Sequence, residues 1–234
     1  NNEYVVGMST LLGKLASPML ENWKISNMVN AIKKEMERQE IPIDKIEAIV
    51  LNAKTNAKKQ GDNILNIGSM VHKFCEMWLK GEKFTDPSDP VVKGCFDKFK
   101  RFWTKHKLKV VESEKILYSE RGFCGTLDLI AKYPDNNLWL IDIKTSKGLF
   151  LNMVHQLHGY KLAYEEQTGK KINKMYIVRL PKDGADFEAR HILYKKEHLN
   201  AFLGLLSCHK SELLFNESVR KYNQLKRGKN VPTK

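Results

Sequence analysis

The chain has 234 residues, 42% of them hydrophobic, which is enough apolar material for a packed core and argues against general disorder. Its 40 lysines and arginines outnumber 27 acidic residues, and the formal charge of +13 points to a polyanionic partner, with nucleic acid ahead of a membrane surface. No apolar run approaches the ~20 residues that a membrane helix needs, and nothing in "NNEYVVGMST" reads as a signal peptide. The 4 cysteines, Cys75, Cys95, Cys124 and Cys208, form no CxxC pair and no metal-ligand spacing. They read as reduced, mostly packing residues of a cytosolic-type compartment.

Residues 1–106 read as helical by period and caps. In "SPMLENW", Ser17 is placed as an N-cap, Pro18 at the first helical position and Glu21 in the first turn. Helical spacing continues over 43–60 and 61–80, where Ile64, Ile67, Val71, Phe74, Cys75 and Trp78 form a stripe. "DPVVKGCFDKFKRFW" opens another helix at Pro90, with Val92, Cys95, Phe96, Phe99 and Trp103 on its apolar side. Near Lys109 the period changes to two, and "KVVESEKILYS", "GFCGTLDLIAKY" and "LWLIDIK" read as three strands. "PDNN", from Pro134 to Asn137, is turn chemistry. A helix from Leu151 to Gln167 follows, closed by Gly169. Then come strands in "NKMYIVRLP" and "FEARHILYK", a final helix from near Lys196, and a basic end, "RKYNQLKRGKNVPTK", that is expected to fray. The order implies an α/β fold, a central mixed sheet flanked by helices with a helical N-terminal layer. The expected boundaries are 1–106 for that layer, 107–215 for the core and 216–234 for a basic tail, all within one structural domain.

The strand "LWLIDIK" carries Asp142 and Lys144 on one face, in a stretch that otherwise reads as buried. Trp139, Ile141 and Ile143 point the other way. One reading is a solvated ion pair, worth little to stability. The other enlists Asp128, 14 positions earlier in the preceding strand. An odd-length hairpin loop, for example three residues with an asparagine in the left-handed conformation, sets Asp128 opposite Asp142 on the same face. A slip of one residue sends it to the other face. Two carboxylates that close must share a proton or a cation. An oxygen-rich site of this kind suits Mg²⁺ or Mn²⁺, which keep waters and take phosphate oxygens. That is the setting for phosphodiester hydrolysis, with a metal polarising the phosphoryl group and a lysine orienting water or steadying charge.

Taken in order, "GTLDLI", "IDIKTSK" and "QLHGY" resemble the PD-(D/E)XK nuclease superfamily, in its RecB-like branch. The branch pattern is a Gly-x-x-Asp strand, an Asp/Glu-x-Lys strand and a Gln-x-x-x-Tyr helix. Here these are Gly125 with Asp128, Asp142 with Lys144, and Gln156 with Tyr160. "GSMVHKFCEMW" resembles the upstream metal-binding helix, with Gly68, His72 and Glu76. Glu114 in "SEKILYS" takes the place of a glutamate on the preceding strand, with Glu112 as its rival. "MSTLLGK…LENW" is similar to the N-terminal signature of phage-encoded exonucleases of this branch, and the mitochondrial genome maintenance exonuclease is similar too. The resemblance spans roughly residues 5–182. It implies a restriction-endonuclease-like core with the helical layer lying over the active site. Lys144 would be catalytic, together with Asp128, Asp142, Gln156 and Tyr160. One or two Mg²⁺ or Mn²⁺ ions would be held by His72, Asp128, Asp142 and the Ile143 backbone carbonyl, with Glu114 behind them or on a second ion. Branch members with an iron–sulfur cluster carry one cysteine before the core and three after it. Only Cys208 follows here, so no cluster is expected.

Plainer readings stand beside these. His72 could pair with Glu76 one turn on, and Glu114 could be a solvated strand residue. Thr145, Ser146 and Lys147 follow Lys144 where substrate phosphates would pass, and Arg179 and Lys182 end a core strand near the same edge. All five are DNA-contact candidates. His155 and His158 flank Gln156 and are read as surface. The expected activity is a Mg²⁺- or Mn²⁺-dependent deoxyribonuclease, an exonuclease acting on DNA with a free single-stranded end. The expected setting is the cytoplasm of a phage-infected or bacterial cell, or another reducing compartment that holds nucleic acid, with replication or recombination proteins as partners. The competing readings are a structure- or site-specific endonuclease on the same core and a non-catalytic DNA-binding recombination accessory. The intact Asp–Asp–Lys set speaks against the last.

Overall fold

Turn chemistry fixes the sheet. Tyr133 donates its amide to Asn137 O (3.0 Å) and Asn136 donates to Tyr133 O (2.9 Å), which leaves Pro134, Asp135 and Asn136 as a three-residue loop. Asn136 is left-handed, with φ 68°, a conformation asparagine tolerates better than most residues. Asp135 accepts from the Asn137 amide at 2.9 Å. The odd loop sets the register Lys132↔Leu138 through Leu129↔Ile141, whose next step is Asp128 opposite Asp142.

The structure is a computed structural model that describes residues 5–15, 25–30, 32–34, 55 and 66–228. Its regular elements are β1 (Val6–Gly7), α1 (Met8–Leu12), α2 (66–79), α3 (Pro90–Lys105), β2 (Lys109–Ser119), β3 (Phe123–Lys132), β4 (Leu138–Lys144), α4 (Leu151–Thr168), β5 (Lys174–Arg179), β6 (Glu188–Ile192) and α5 (Lys196–Gly228). Short helical runs also occupy 25–30 and 32–34. The expected helix at Ser17, and the one over 43–60 apart from a single helical residue at 55, lie outside the described residues.

The fold is α/β, a mixed sheet flanked by helices. β2, β3 and β4 form an antiparallel meander. β5 joins β4 in parallel after the α4 crossover, and β6 closes antiparallel on β5. One face packs Leu117, Phe123, Leu127, Ile130 and Leu140 against α4, α1 and the first half of α5. The other packs Leu129, Ala131, Trp139, Ile141 and Ile143 against α2 and α3. Trp139, Ile141 and Ile143 thus share the face opposite Asp142, as alternation requires. No helix among the described residues is long and apolar enough to cross a membrane.

Local chemistry sets the helix ends. Asp89 caps α3 by accepting from the Val91 and Val92 amides at 2.8 and 3.1 Å, ahead of Pro90 at the first position; such a cap contributes about 1 kcal/mol. Gly169 ends α4 at φ 66°, the left-handed conformation that glycine adopts without strain.

Three expectations are corrected. Val6–Gly7, within the region read as helical, pairs in parallel with Phe123–Cys124 of β3, and α1 packs on the α4 side of the sheet, away from α2 and α3. The end does not fray over 216–228 but continues α5, because residues 205–227 contain no proline or glycine and are rich in leucine, lysine, arginine and glutamate. His155 and His158 are buried, not surface. α4 is covered by the sheet on one side and α5 on another, so residues off the Gln156 face still meet protein. His158 Nδ1 bonds Val154 O (2.7 Å), and its Nε2 accepts from the Lys195 amide (3.1 Å).

The α4–α5 contact depends on Gly159, where an added Cβ would lie 2.8 Å from both Met8 Cε and Phe202 Cζ. Overpacking of this kind costs about 1–3 kcal/mol. Gly159→Ala should therefore lower the melting temperature by roughly 2–10 °C in a chain of this size, read by calorimetry, while Gly94→Ala, with open space around it, should not.

Candidate active-site cleft

β3 and β4 part company at the site. Their ladder ends at Leu129↔Ile141, while β4 continues with β5 as Asp142↔Ile177 and Lys144↔Arg179. At the opening the Asp128 carboxylate takes over from the backbone, accepting the Ile143 amide at 2.7 Å. The strand pattern is also broken there. Leu127 and Leu129 are two residues apart yet pack into opposite layers, where simple alternation would keep them together. The register Ser113↔Leu129 and Lys115↔Leu127 places the same break in β2 at Glu114. Glu114 sits at φ 48°, an uncommon conformation for a glutamate and a cost of about 1–3 kcal/mol. Strain and splaying coincide where the acids gather.

His72, Glu114 and Asp128 each bring one ligand atom to within 4.8 Å of the others. His72 Nδ1 is 3.7 Å from Asp128 Oδ2. Glu112 stays outside this group and bonds Lys115 at 2.8 Å, so of the two rivals it is Glu114 that converges with Asp128. Asp142, 1% exposed, is turned onto Lys144 instead, whose Nζ lies 2.8 Å from Oδ1 and 2.7 Å from Oδ2. Only the first contact has hydrogen-bond geometry, so Asp142 Oδ2 is buried without a hydrogen bond. One imidazole nitrogen and several carboxylate oxygens fit a hard divalent cation.

Electrostatics agree with the crowding. Burial pushes the Asp142 carboxyl up to about 6, with Lys144 opposing and Asp128 adding to the rise. Burial works against the Lys144 ammonium, but the Asp142 and Asp128 charges outweigh it and hold its pKa above the ordinary lysine value. Lys144 is therefore a cation, a donor and not a base. Burial and the Asp128 charge raise Glu114, with His72 opposing.

Gln156 and Tyr160 approach from α4. Gln156 Nε2 donates to Tyr160 Oη at 3.3 Å. Burial raises the Tyr160 phenol, as do the Asp128, Asp142 and Glu114 charges to a lesser degree. Gly125 makes this approach feasible, since an added Cβ would meet Tyr160 Cε1 and Met8 Cβ at 2.9 Å. Gly68 plays the same part for α2, with Thr145 Oγ1 only 3.0 Å and Lys182 Nζ 3.6 Å from where its Cβ would be. A cleft of about 590 Å³ opens here, lined by Gly68, Ser69, His72, Glu114, Thr145 and Lys182, with Lys73 and Glu76 at its margin.

The other expected contacts divide. Lys182 lines the cleft, its ammonium pKa lowered by burial. Ser146 bonds Gly148 O within its own loop at 2.7 Å, and Lys147 is exposed beside it. Arg179 is engaged by Glu188 (3.2 Å), Asp186 O (3.0 Å) and Lys147 O (3.4 Å), so it braces the β5–β6 hairpin against this loop. Sequence reasoning missed Ser69 and Lys73. Ser69 lies one turn before Lys73 and Lys73 adjoins His72, so the helical spacing around the histidine was the signal available.

No protein-family model and no curated protein matches the chain. Among solved structures, an alkaline exonuclease from Laribacter hongkongensis aligns at a TM-score of 0.49 and 13% identity, covering 97% of this chain and 95% of that one. A provisionally named exonuclease from Eubacterium rectale aligns at 0.43 and 13%, covering 91% and 81%.

Because the folded Asp142 carboxyl holds its proton up to about 6, its contribution to stability is full below the ordinary carboxylate range and is lost as pH rises through 6. Metal-free protein should lose stability between about pH 4 and pH 6, on the order of 2 kcal/mol. Carboxyl-carbon NMR should show the Asp142 midpoint near 6, and Lys144→Ala should move it higher by removing the opposing cation. A midpoint near 4 in both proteins would contradict this account.

Proposed function

We propose that the chain is a metal-dependent deoxyribonuclease, an exonuclease that hydrolyses phosphodiester bonds from a free, single-stranded DNA end. The observation that carries this reading is the convergence of His72, Glu114 and Asp128 close to the buried Asp142–Lys144 pair, at a cleft that His72 and Glu114 line. His72, Glu114, Asp128 and Asp142 would hold Mg²⁺ or Mn²⁺, with the Ile143 carbonyl as a further oxygen donor. The bound ion supplies Lewis-acid polarisation of the phosphoryl group.

The chain's own residues do the rest. Lys144, a fixed ammonium, donates hydrogen bonds to the attacking water and to the charge that grows on the phosphoryl oxygens. Its bond to Asp142 keeps it aimed. Tyr160 and Gln156 form a polar wall that orients the scissile group from the α4 side. Thr145 and Lys182, both lining the cleft, take the flanking phosphates, with Ser146 and Lys147 next along the loop. The formal charge of +13 draws the polyanion in from a distance. α2 lines one side of the cleft through Gly68, Ser69 and His72, and in this reading it admits a strand end in preference to a continuous duplex.

The test is release of nucleotides from end-labelled linear DNA in Mg²⁺ or Mn²⁺, with none in chelator. Asp128→Asn should abolish cleavage and weaken Mn²⁺ binding in calorimetric titration. Lys144→Ala should lower kcat about 10²–10³-fold while DNA and metal affinities change only a few-fold. No cleavage under any divalent ion would overturn the reading. A closed single-stranded circle should survive where its linear form is degraded, and equal rates on both would make the enzyme an endonuclease.

A further inference from the structure

One face of the β2–β3 hairpin is bare next to the cleft. Leu117, Phe123 and Leu127 are buried on the α4 side, while on the opposite face Ile116 and Tyr118 are 75% and 60% exposed. The register sets Ile116 beside Thr126 and Tyr118 beside Cys124, and Thr126 is exposed too. α2 and α3 cover this side of the sheet over Leu129, Ala131, Trp139 and Ile141, but not over the end of the hairpin. Ile116 and Tyr118 stand side by side on this open sheet face, and contiguous exposed apolar surface beside a cleft is where a ligand can dock.

The patch is continuous with the cleft. Glu114 precedes Ile116 and Tyr118 on β2, and Thr126 precedes Asp128 on β3. At the strand rise, Ile116 and Tyr118 lie ~7 and ~13 Å beyond Glu114. Lys73 of α2 supplies a cation beside the patch, while Lys80, just past the end of α2, is paired with Glu76. Lys73 borders the cleft, and the Lys80 charge reaches Glu114.

We infer that this face is a platform for the unpaired bases of a single-stranded nucleic acid that enters the cleft, an inference that rests on the nuclease reading above. Tyr118 stacks on one base and Ile116 packs beside it, while Lys73 meets a phosphate at the cleft border. Stacking on an aromatic ring accepts any base by its π-face, whereas in a duplex those faces are occupied by neighbouring bases. The chain's excess positive charge favours a polyanion here over a protein partner.

The experiment is fluorescence anisotropy of a labelled single-stranded oligonucleotide, in chelator so that nothing is cleaved. Tyr118→Ala should weaken binding about tenfold, Tyr118→Phe should stay within about twofold of the parent protein, and duplex binding should not change. An oligonucleotide carrying abasic sites over the segment that reaches the platform should bind the parent protein more weakly by the same factor, with no further loss in Tyr118→Ala. Tyr118 is mostly exposed, so its truncation spares the core, and circular dichroism checks that. Unchanged single-strand affinity in Tyr118→Ala, equal losses for single strand and duplex, or an altered oligomeric mass in Tyr118→Ala would each overturn the platform. Any of these beside normal cleavage by the parent protein removes the platform alone. A parent protein that neither binds nor cleaves single strands removes the nuclease reading and the platform together.

Discussion

A single hydrogen bond, from the Ile143 amide to the Asp128 carboxylate, decides what the sheet can do at its open end. A backbone carbonyl in that place would continue the ladder and close β3 against β4. A side-chain acceptor satisfies the amide while letting the strands diverge, and it leaves a negative charge at the divergence. Buried amides without partners are costly, so the gap stands only because the carboxylate fills that need. The space beside Glu114, the reach of His72 from α2 and the turn of Asp142 towards Lys144 all follow from it.

The chain's far field and its near field have opposite signs. Seen from a distance it is strongly cationic. At the site the Asp128 charge acts on both Glu114 and Asp142, and the two raised carboxyls record that repulsion as well as their burial. An anion drawn towards the surface would be turned away at the centre unless a cation stood between. Under the nuclease reading this polarity would make affinity and chemistry separable, with lysines on the rim governing the approach and the acids the last few ångströms.

Much of this was legible in the sequence where the physics is local. β2 and β4 follow from alternation and end where it ends. The loop at Pro134–Asn136 has the odd length and the left-handed asparagine that set the register as far as Leu129↔Ile141, one step short of Asp128 and Asp142. Gly169 closes α4 as a C-cap. What escaped was set by tertiary contact. β1 is two residues long, too short for any period to register. His155 and His158 look solvated only if α4 has one covered side, and it has more. Arg179 is drawn into the β5–β6 register, opposite Glu188, and that partner cannot be known until the hairpin is formed. The simultaneous break at Glu114 and Asp128 leaves no mark on residue spacing, because both strands shift together and the register is the same on either side, Ser113↔Leu129 and Lys115↔Leu127.

Glu114 shows what that break demands of evolution. Its left-handed backbone would suit glycine, and asparagine better than glutamate. Selection for stability alone would drift this position towards glycine, relieving the strain and losing the carboxylate with it. Under the nuclease reading proposed above, a glutamate there trades backbone strain for a metal-holding carboxylate. A library sorted only for thermal resistance should therefore converge on variants that fold better and can do less, with position 114 among the first to change.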